Sequence, residues 1–258
     1  MKDELESHSR ILREHFGLSV APAQYVVALA GNPNVGKSTV FNTLTGLHQH
    51  TGNWPGKTVD NAQGTFTHAN QSFLMVDLPG TYSLLAHTAE EQIARDFICF
   101  GQPDAALVVV DATCLERNLN LALQVMEITA NVIVCVNLID EARKKNISVN
   151  SRLLEQELGI PVVVTAARTG EGLAKLKDTL YQVASGSHKP APKQISYSPL
   201  VEEAIAKLVP QISRVIDHRL NPRWVALRLL DGDKTFIESI DRYLNKETVL
   251  DAVEVAFQ

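Results

Sequence analysis

The chain has 258 residues, 45% of them apolar, and 29 acidic side chains against 24 Lys and Arg, for a formal charge of −5. That is enough apolar material for one good core plus a small appendage, and the acidic balance excludes a broad nucleic-acid-binding face. No apolar run reaches the roughly 18 to 20 residues that cross a bilayer, and Asp3, Glu4 and Glu6 deny the N-terminus a signal-peptide layout, so the expectation is a chain that is cytosolic as it stands. In chain order, residues 1–23 read as a helical extension, with Leu5, Ile11, Leu12 and Phe16 on its apolar face. The run 25–30 predicts a buried strand, and 38–45 the helix after it. Residues 61–69 pair with 73–78 through a turn at Asn70 and Gln71, adding one antiparallel edge strand. Apolar runs at 105–110, 132–136 and 161–164 read as parallel strands buried on both faces. Helical patterns over 89–100, 115–130, 151–158 and 173–184 alternate with them.

The alternation predicts an α/β domain over residues 24–185, with a doubly wound, mostly parallel sheet and any phosphates at the carboxyl ends of its strands. Residues 186–198, with Gly186, Pro190 and Pro192, read as a linker, and 199–258 as a small all-helical domain. In that domain Pro210 starts or kinks a helix, Asn221 and Pro222 cap another, and helices over 235–244 and 247–257 follow. Its apolar stripe reads as plain core, with a docking surface as the alternative.

The chemistry starts at 31–38, GNPNVGKS, directly after the first strand. Gly31 and Gly36 let the backbone turn its N–H groups inward, Lys37 brings a charge to the outer phosphates, and Ser38 is placed to ligate magnesium. The pattern GxxxxGK[ST] arises by chance in about one chain in a hundred of this length, so the strand-to-helix context makes a phosphate cradle of Asn34, Val35, Gly36, Lys37, Ser38 and Thr39. Asp77 to Gly80, DLPG, ends another strand: Asp77 suits magnesium held through water, and the Gly80 N–H suits the terminal phosphate. Thr58, in the polar loop before the edge strand, is the threonine expected to reach magnesium and that phosphate. Lys37, Thr58 and Gly80 are thus the candidate catalytic residues. Asn137 to Asp140, NLID, follows a buried strand, and Asp140 can accept two hydrogen bonds from guanine that adenine cannot supply. GTP and GDP are therefore the expected ligands, with Ala166 and Ala167 offering a backbone N–H to the guanine carbonyl.

GNPNVGKS, Thr58, DLPG and NLID in this order resemble the translation-factor-related GTPases of the Ras-like fold. The segments HTGNWPGKT at 50–58, DLPGTYSL at 77–84 and NPRWVALRLLDGD in the helical tail narrow this further. With them, residues 24–258 resemble the cytosolic N-terminal region of the FeoB bacterial ferrous-iron transport proteins. The resemblance implies a GTPase domain and a helical domain preceding a polytopic membrane domain absent here, so a soluble fragment that works on the cytoplasmic side of the inner membrane. It also implies potassium activation, with the Asn34 side-chain oxygen and backbone carbonyls near Gly52 and Trp54 holding the ion. Trp54 reads equally well as an aromatic dock for a mobile loop. Thr81 stands where related enzymes often carry a water-orienting glutamine, so slow intrinsic hydrolysis is expected.

The expected partners are GTP or GDP, with Mg2+ and K+, and the membrane domain of a transporter; a homo-oligomer is a candidate assembly and nucleic acid is not expected. A ribosome-assembly GTPase and a regulator with little turnover are the alternatives. Cys99, Cys114 and Cys135 lie in apolar contexts and read as buried, reduced thiols. His48, His50, His68 and His87 do not combine with a carboxylate or cysteine cluster into an iron site.

Overall fold

A computed structural model describes residues 13–21, 23–46, 49–216 and 220–244. The chain divides between Lys193 and Gln194 into two compact units. In the first, the apolar runs become the strands β1 (Gln24–Gly31), β4 (Gln71–Asp77), β5 (Ala105–Asp111), β6 (Val132–Asn137) and β7 (Val162–Val164). All pair parallel, while β2 (Gln49–Asn53) and β3 (Asp60–His68) run antiparallel, in the order β2-β3-β4-β1-β5-β6-β7. β6 is buried at every position because helices cover both faces of the parallel part, whereas β3 buries only Asn61, Gly64 and Phe66. Phe66 lies opposite Phe73 in the β3–β4 ladder, and the two rings stack with centroids 4.7 Å apart.

The helices are α1 (Lys37–Thr45), α2 (Ala89–Phe100), α3 (Leu115–Ile128), α4 (Ile139–Lys144), α5 (Ser151–Leu158) and α6 (Leu173–Ala184). Local chemistry sets their ends. Thr88 accepts from the Glu91 N–H at 3.2 Å while the Glu91 carboxylate accepts from the His87 N–H at 2.9 Å, a reciprocal cap that starts α2. Asn150 caps α5 through the Leu153 N–H at 3.0 Å.

The second unit holds α7 (Pro199–Val215), α8 (Pro222–Leu230) and α9 (Lys234–Leu244). Asn221 caps α8 through the Arg223 N–H, and Pro222 occupies the first turn, where its missing N–H costs nothing. Much of the apolar stripe is core, with Ile205, Leu208, Ile212, Trp224, Phe236 and Ile240 buried, while Leu200 at its start is exposed. Arg223 grips Glu202 with two hydrogen bonds of 2.8 and 2.7 Å, and its guanidinium also donates to the Ile195 carbonyl at 2.9 Å.

Three expectations are corrected, at the antiparallel edge, the hairpin turn and Cys114. The antiparallel edge is two strands deep, because the polar segment of β2, which has no apolar alternation to reveal it, pairs along β3. The hairpin turn is at Ala69 and Asn70, both at positive φ, one residue earlier than expected. The short polar helix α4 follows Leu138, itself left-handed at φ 62°. Of the two roles expected of Pro210, starting a helix is excluded, because it lies inside α7 and Pro199 occupies the first turn. Cys114 is exposed at the start of α3, whereas Cys99 and Cys135 are buried, and burial pushes the Cys135 thiol up to about 12. Of the expected helical extension over 1–23, residues 1–12 and 22 lie outside the described residues and 13–15 are helical, and the expected helix over 247–257 lies outside them altogether.

Candidate functional site

β1 delivers the chain to the GNPNVGKS loop at the carboxyl edge of the sheet, and α1 leaves it at Lys37. The turn needs two left-handed residues, Asn34 at φ 68° and Gly36 at φ 81°. Gly36 is also steric: a Cβ there would stand 2.5 Å from the Asn137 amide nitrogen. The loop is tied to the neighbouring strand's exit, since the Leu78 N–H donates to the Leu29 carbonyl at 2.9 Å and the Thr81 N–H to the Gly31 carbonyl at 3.3 Å. Gly80 sits against this loop, its Cβ direction 3.6 Å from the Pro33 nitrogen.

Lys37, Thr58 and Asp77 line one cleft with Val59, Asp60, Leu78, Pro79 and Glu90. Lys37 and Asp77 form an ion pair within it. Burial raises the Asp77 carboxyl above its ordinary range, and the Lys37 ammonium offsets part of that rise. Thr58 and Asp77 bring a hydroxyl and a carboxylate to that cleft, oxygen donors of the kind that suits a hard divalent cation such as magnesium, whereas Ser38, in the first turn of α1, is not among its lining residues. Thr81 is buried, and its hydroxyl donates to the Ser83 carbonyl at 2.7 Å, so it is turned into the loop. Among the described residues, no group of three or more His, Cys, Asp or Glu side chains could hold a metal ion.

The strongest piece of organisation is Asn137, the last residue of β6 and 1% exposed. Its amide nitrogen donates to the Val35 carbonyl at 3.1 Å, and its amide oxygen accepts from the Thr165 hydroxyl and the Ala167 N–H, each at 3.1 Å. One side chain thus ties the phosphate loop to the loop after β7. Asp140, one turn further on in α4, carries a 3.3 Å ion pair with Arg168. The Ala166 N–H donates to the Glu171 carbonyl at 3.1 Å and the Ala167 N–H to the Asn137 side chain, so both amides expected to serve the base are engaged within the chain here. The loop must close its own turn and brace Asn137, and those two amides do it.

Asn34 stands at the tip of the phosphate loop, Gly52 in the β2–β3 ladder, and Trp54 just beyond β2. None of the three lines the Lys37 cleft. The Trp54 carbonyl accepts from the Lys57 N–H at 2.9 Å, and Trp54 is 2% exposed, its ring packed against Phe16 and Phe97. Sequence reasoning missed Gln124 on α3, whose side-chain oxygen accepts from the Leu84 N–H at 2.6 Å and the Ser83 hydroxyl at 3.3 Å. It braces the segment after DLPG across 40 residues, a link no local pattern announces.

Comparison with known proteins follows this geometry. The family model for ferrous iron transport protein B matches residues 25–180, and that for the FeoB cytosolic helical domain matches 197–257. The chain is 39% identical over 235 residues to the Fe(2+) transport protein A/Fe(2+) transporter FeoB fusion protein of Porphyromonas gingivalis, covering 89% of this chain and 28% of that protein. It is 38% identical over 214 residues to the Fe(2+) transporter FeoB of Escherichia coli K12, covering 80% of this chain and 27% of that protein. The chain therefore spans little more than a quarter of the length of these relatives. Among solved structures, the cytosolic domain of the T. maritima FeoB iron transporter in a GDP form superposes with TM-score 0.77 at 38% identity, over 87% of this chain and 86% of that one. The same domain in a GMPPNP form gives 0.76 at 38% identity, over 84% and 85%. The cytosolic domain of L. pneumophila FeoB gives 0.75 at 34% identity, over 90% and 94%.

Proposed function

Because the chain belongs to the FeoB ferrous iron transport family, whose N-terminal G domain has a P-loop GTPase fold, we propose that it binds GTP with magnesium, hydrolyses it slowly with potassium as activator, and serves as the cytosolic switch of a ferrous-iron transporter. The observation that carries this reading is Asn137, which braces the phosphate loop against the loop beside Asp140 and so supports one continuous site for phosphates and base. With nucleotide bound, Lys37 would turn from Asp77 to the outer phosphates, and the Asp77 carboxylate so released would be free to help hold the cation. Magnesium supplies charge neutralisation between the phosphates. Thr58 approaches the terminal phosphate, and the Gly80 N–H donates to it. Asp140 exchanges its Arg168 partner for the guanine edge. On this reading the chain works on the cytoplasmic side of the inner membrane, with the membrane domain of the transporter as its partner and self-association as a candidate assembly.

The reading is tested by titrating fluorescent GTP, GDP and ATP analogues. GTP and GDP should bind well ahead of ATP, and Asp140→Asn should weaken GTP by about 2 kcal/mol or more while xanthine nucleotide gains, because two hydrogen bonds to guanine are lost. Unchanged GTP preference in the variant removes Asp140 from the base site. A regulator with little turnover is the second reading, favoured by the inward-turned Thr81 hydroxyl. Turnover no faster than spontaneous hydrolysis would select it.

A further inference from the structure

The segment before β1 is used by none of the nucleotide chemistry, yet it is fastened at several points. The Arg13 guanidinium donates to the Gln102 carbonyl at 2.8 Å and pairs with Asp104 at 3.3 Å, while Asp104 also accepts from the Val26 N–H at 2.6 Å. The chain then closes a tight turn, with the Phe16 and Leu18 N–H groups both donating to the Arg13 carbonyl, and Gly17 at φ +70° allows it. The Gly17 carbonyl accepts from the Gln63 side chain of β3 at 3.3 Å, and its Cβ direction faces Pro55 at 3.5 Å. Phe16, 4% exposed, meets Phe97 of α2 edge-on at 5.3 Å and Trp54 at 6.3 Å. Trp54 and Phe97 close the triangle at 5.5 Å.

Trp54 opens the loop that carries Thr58. Its N–H donates to the Val59 carbonyl at 2.9 Å, and Lys57 reaches Gln92 of α2 at 3.2 Å, so both ends of the loop rest on fixed structure. The Trp54 indole nitrogen is buried with no hydrogen-bond partner, which leaves aromatic packing to hold the ring. Phe16 supplies one of the two aromatic walls. We propose that residues 13–18 form a strap that holds the 54–58 loop with Thr58 at the Lys37–Asp77 cleft, and that Phe16 is its positioning residue. The proposal rests on the GTPase reading above for its catalytic consequence, but the docking of Trp54 stands apart from it. Removing Phe16 releases Trp54, gives Thr58 new freedom, and penalises the contact to magnesium and the terminal phosphate, which GDP does not make.

The test uses the full chain with Trp224→Phe, so that Trp54 is the sole tryptophan. In that background Phe16→Ala should raise acrylamide quenching of Trp54 about three-fold, lower kcat and GTP-analogue affinity about five-fold, and leave GDP affinity within about two-fold. Phe16→Leu, which refills most of the volume, should restore most of each. Arg13→Ala, which unfastens the strap without opening the aromatic cluster, should move the same readouts in the same direction by less, and it decides the matter if Phe16→Ala fails to fold. Unchanged quenching, or equal loss of GDP and GTP-analogue affinity, overturns the proposal. If the parent chain neither binds nor hydrolyses GTP, the GTPase reading fails while Trp54 quenching still judges the strap.

Discussion

Asn137 shows how one amide can assemble a site. Both ends of its side chain are buried and committed, the nitrogen to Val35 and the oxygen to Thr165 and Ala167, so truncation strands the Val35 carbonyl and the Ala167 N–H and leaves the Thr165 hydroxyl only its contact with the Cys135 thiol. Asn137→Ala should therefore lower unfolding stability by about 3 kcal/mol and weaken GDP and GTP alike, since the two loops lose their common brace. Urea unfolding and nucleotide titration check it, and an unchanged midpoint would mean that the amide's contacts are replaced by solvent. Asp140 has the opposite character: its partner Arg168 is 72% exposed, so that ion pair contributes little to stability and can be exchanged for ligand at small cost.

At the scale of elements, the site is four loops at the carboxyl edge of one sheet, each held by a different device. The phosphate loop is held by Asn137, the segment after DLPG by Gln124, the Thr58 loop by aromatic packing, and the loop after β7 by its own bridge between Ala166 and Glu171. The Thr81 hydroxyl is turned inward to the Ser83 carbonyl, and on the proposed GTPase reading the charge developing between the phosphates then calls for another cation. Replacing sodium with potassium should then accelerate GTP hydrolysis about 10-fold, and Asn34→Ala should abolish the gain while GTP still binds. Rates at matched ionic strength decide it, because screening is then equal. Equal rates in the two salts would sink the ion-site reading of Asn34, Gly52 and Trp54.

At the scale of the whole molecule, the two units are stabilised differently. The first is a sheet core covered by helices, from Val27 and Leu29 through Leu107 and Ile133 to Leu176 and Leu180. The second is smaller and leans on the Arg223–Glu202 pair, which holds the Glu202 carboxyl at about 2, well below its ordinary 4.5, through hydrogen bonds from Arg223 and from the Tyr197 N–H. A carboxyl lowered by folding stabilises the native state fully above its unfolded value and loses that contribution as pH falls towards the folded one. The advantage of wild type over Glu202→Gln in thermal midpoint should therefore be constant above pH 4.5 and shrink towards pH 2. A difference that is flat across that window would show that Glu202 acts through packing alone.

The amino-acid sequence by itself determined the fold class, nearly every strand and helix, and the order of the nucleotide motifs. Those signals are local: buried runs such as VIVCVN, caps such as Asn150 and Asn221, and a glycine-bounded loop between strand and helix. Tertiary structure decided the rest, because the signals involved are not local. β2 exists only through its pairing with β3, and its own residues carry no strand pattern. Pro210 sits within a helix because the rest of α7 buries an apolar face that outweighs one missing hydrogen bond. The N–H groups of Ala166 and Ala167, read as donors to a base, are engaged by Glu171 and by Asn137, the latter 30 residues away in the chain. Phe16 and Trp54, read as an apolar face of an extension and a loop aromatic, acquire a shared role only where Phe97 brings them together. Periodicity and spacing report what a residue does for its neighbours in sequence; which distant group meets it is set by how the sheet and helices pack.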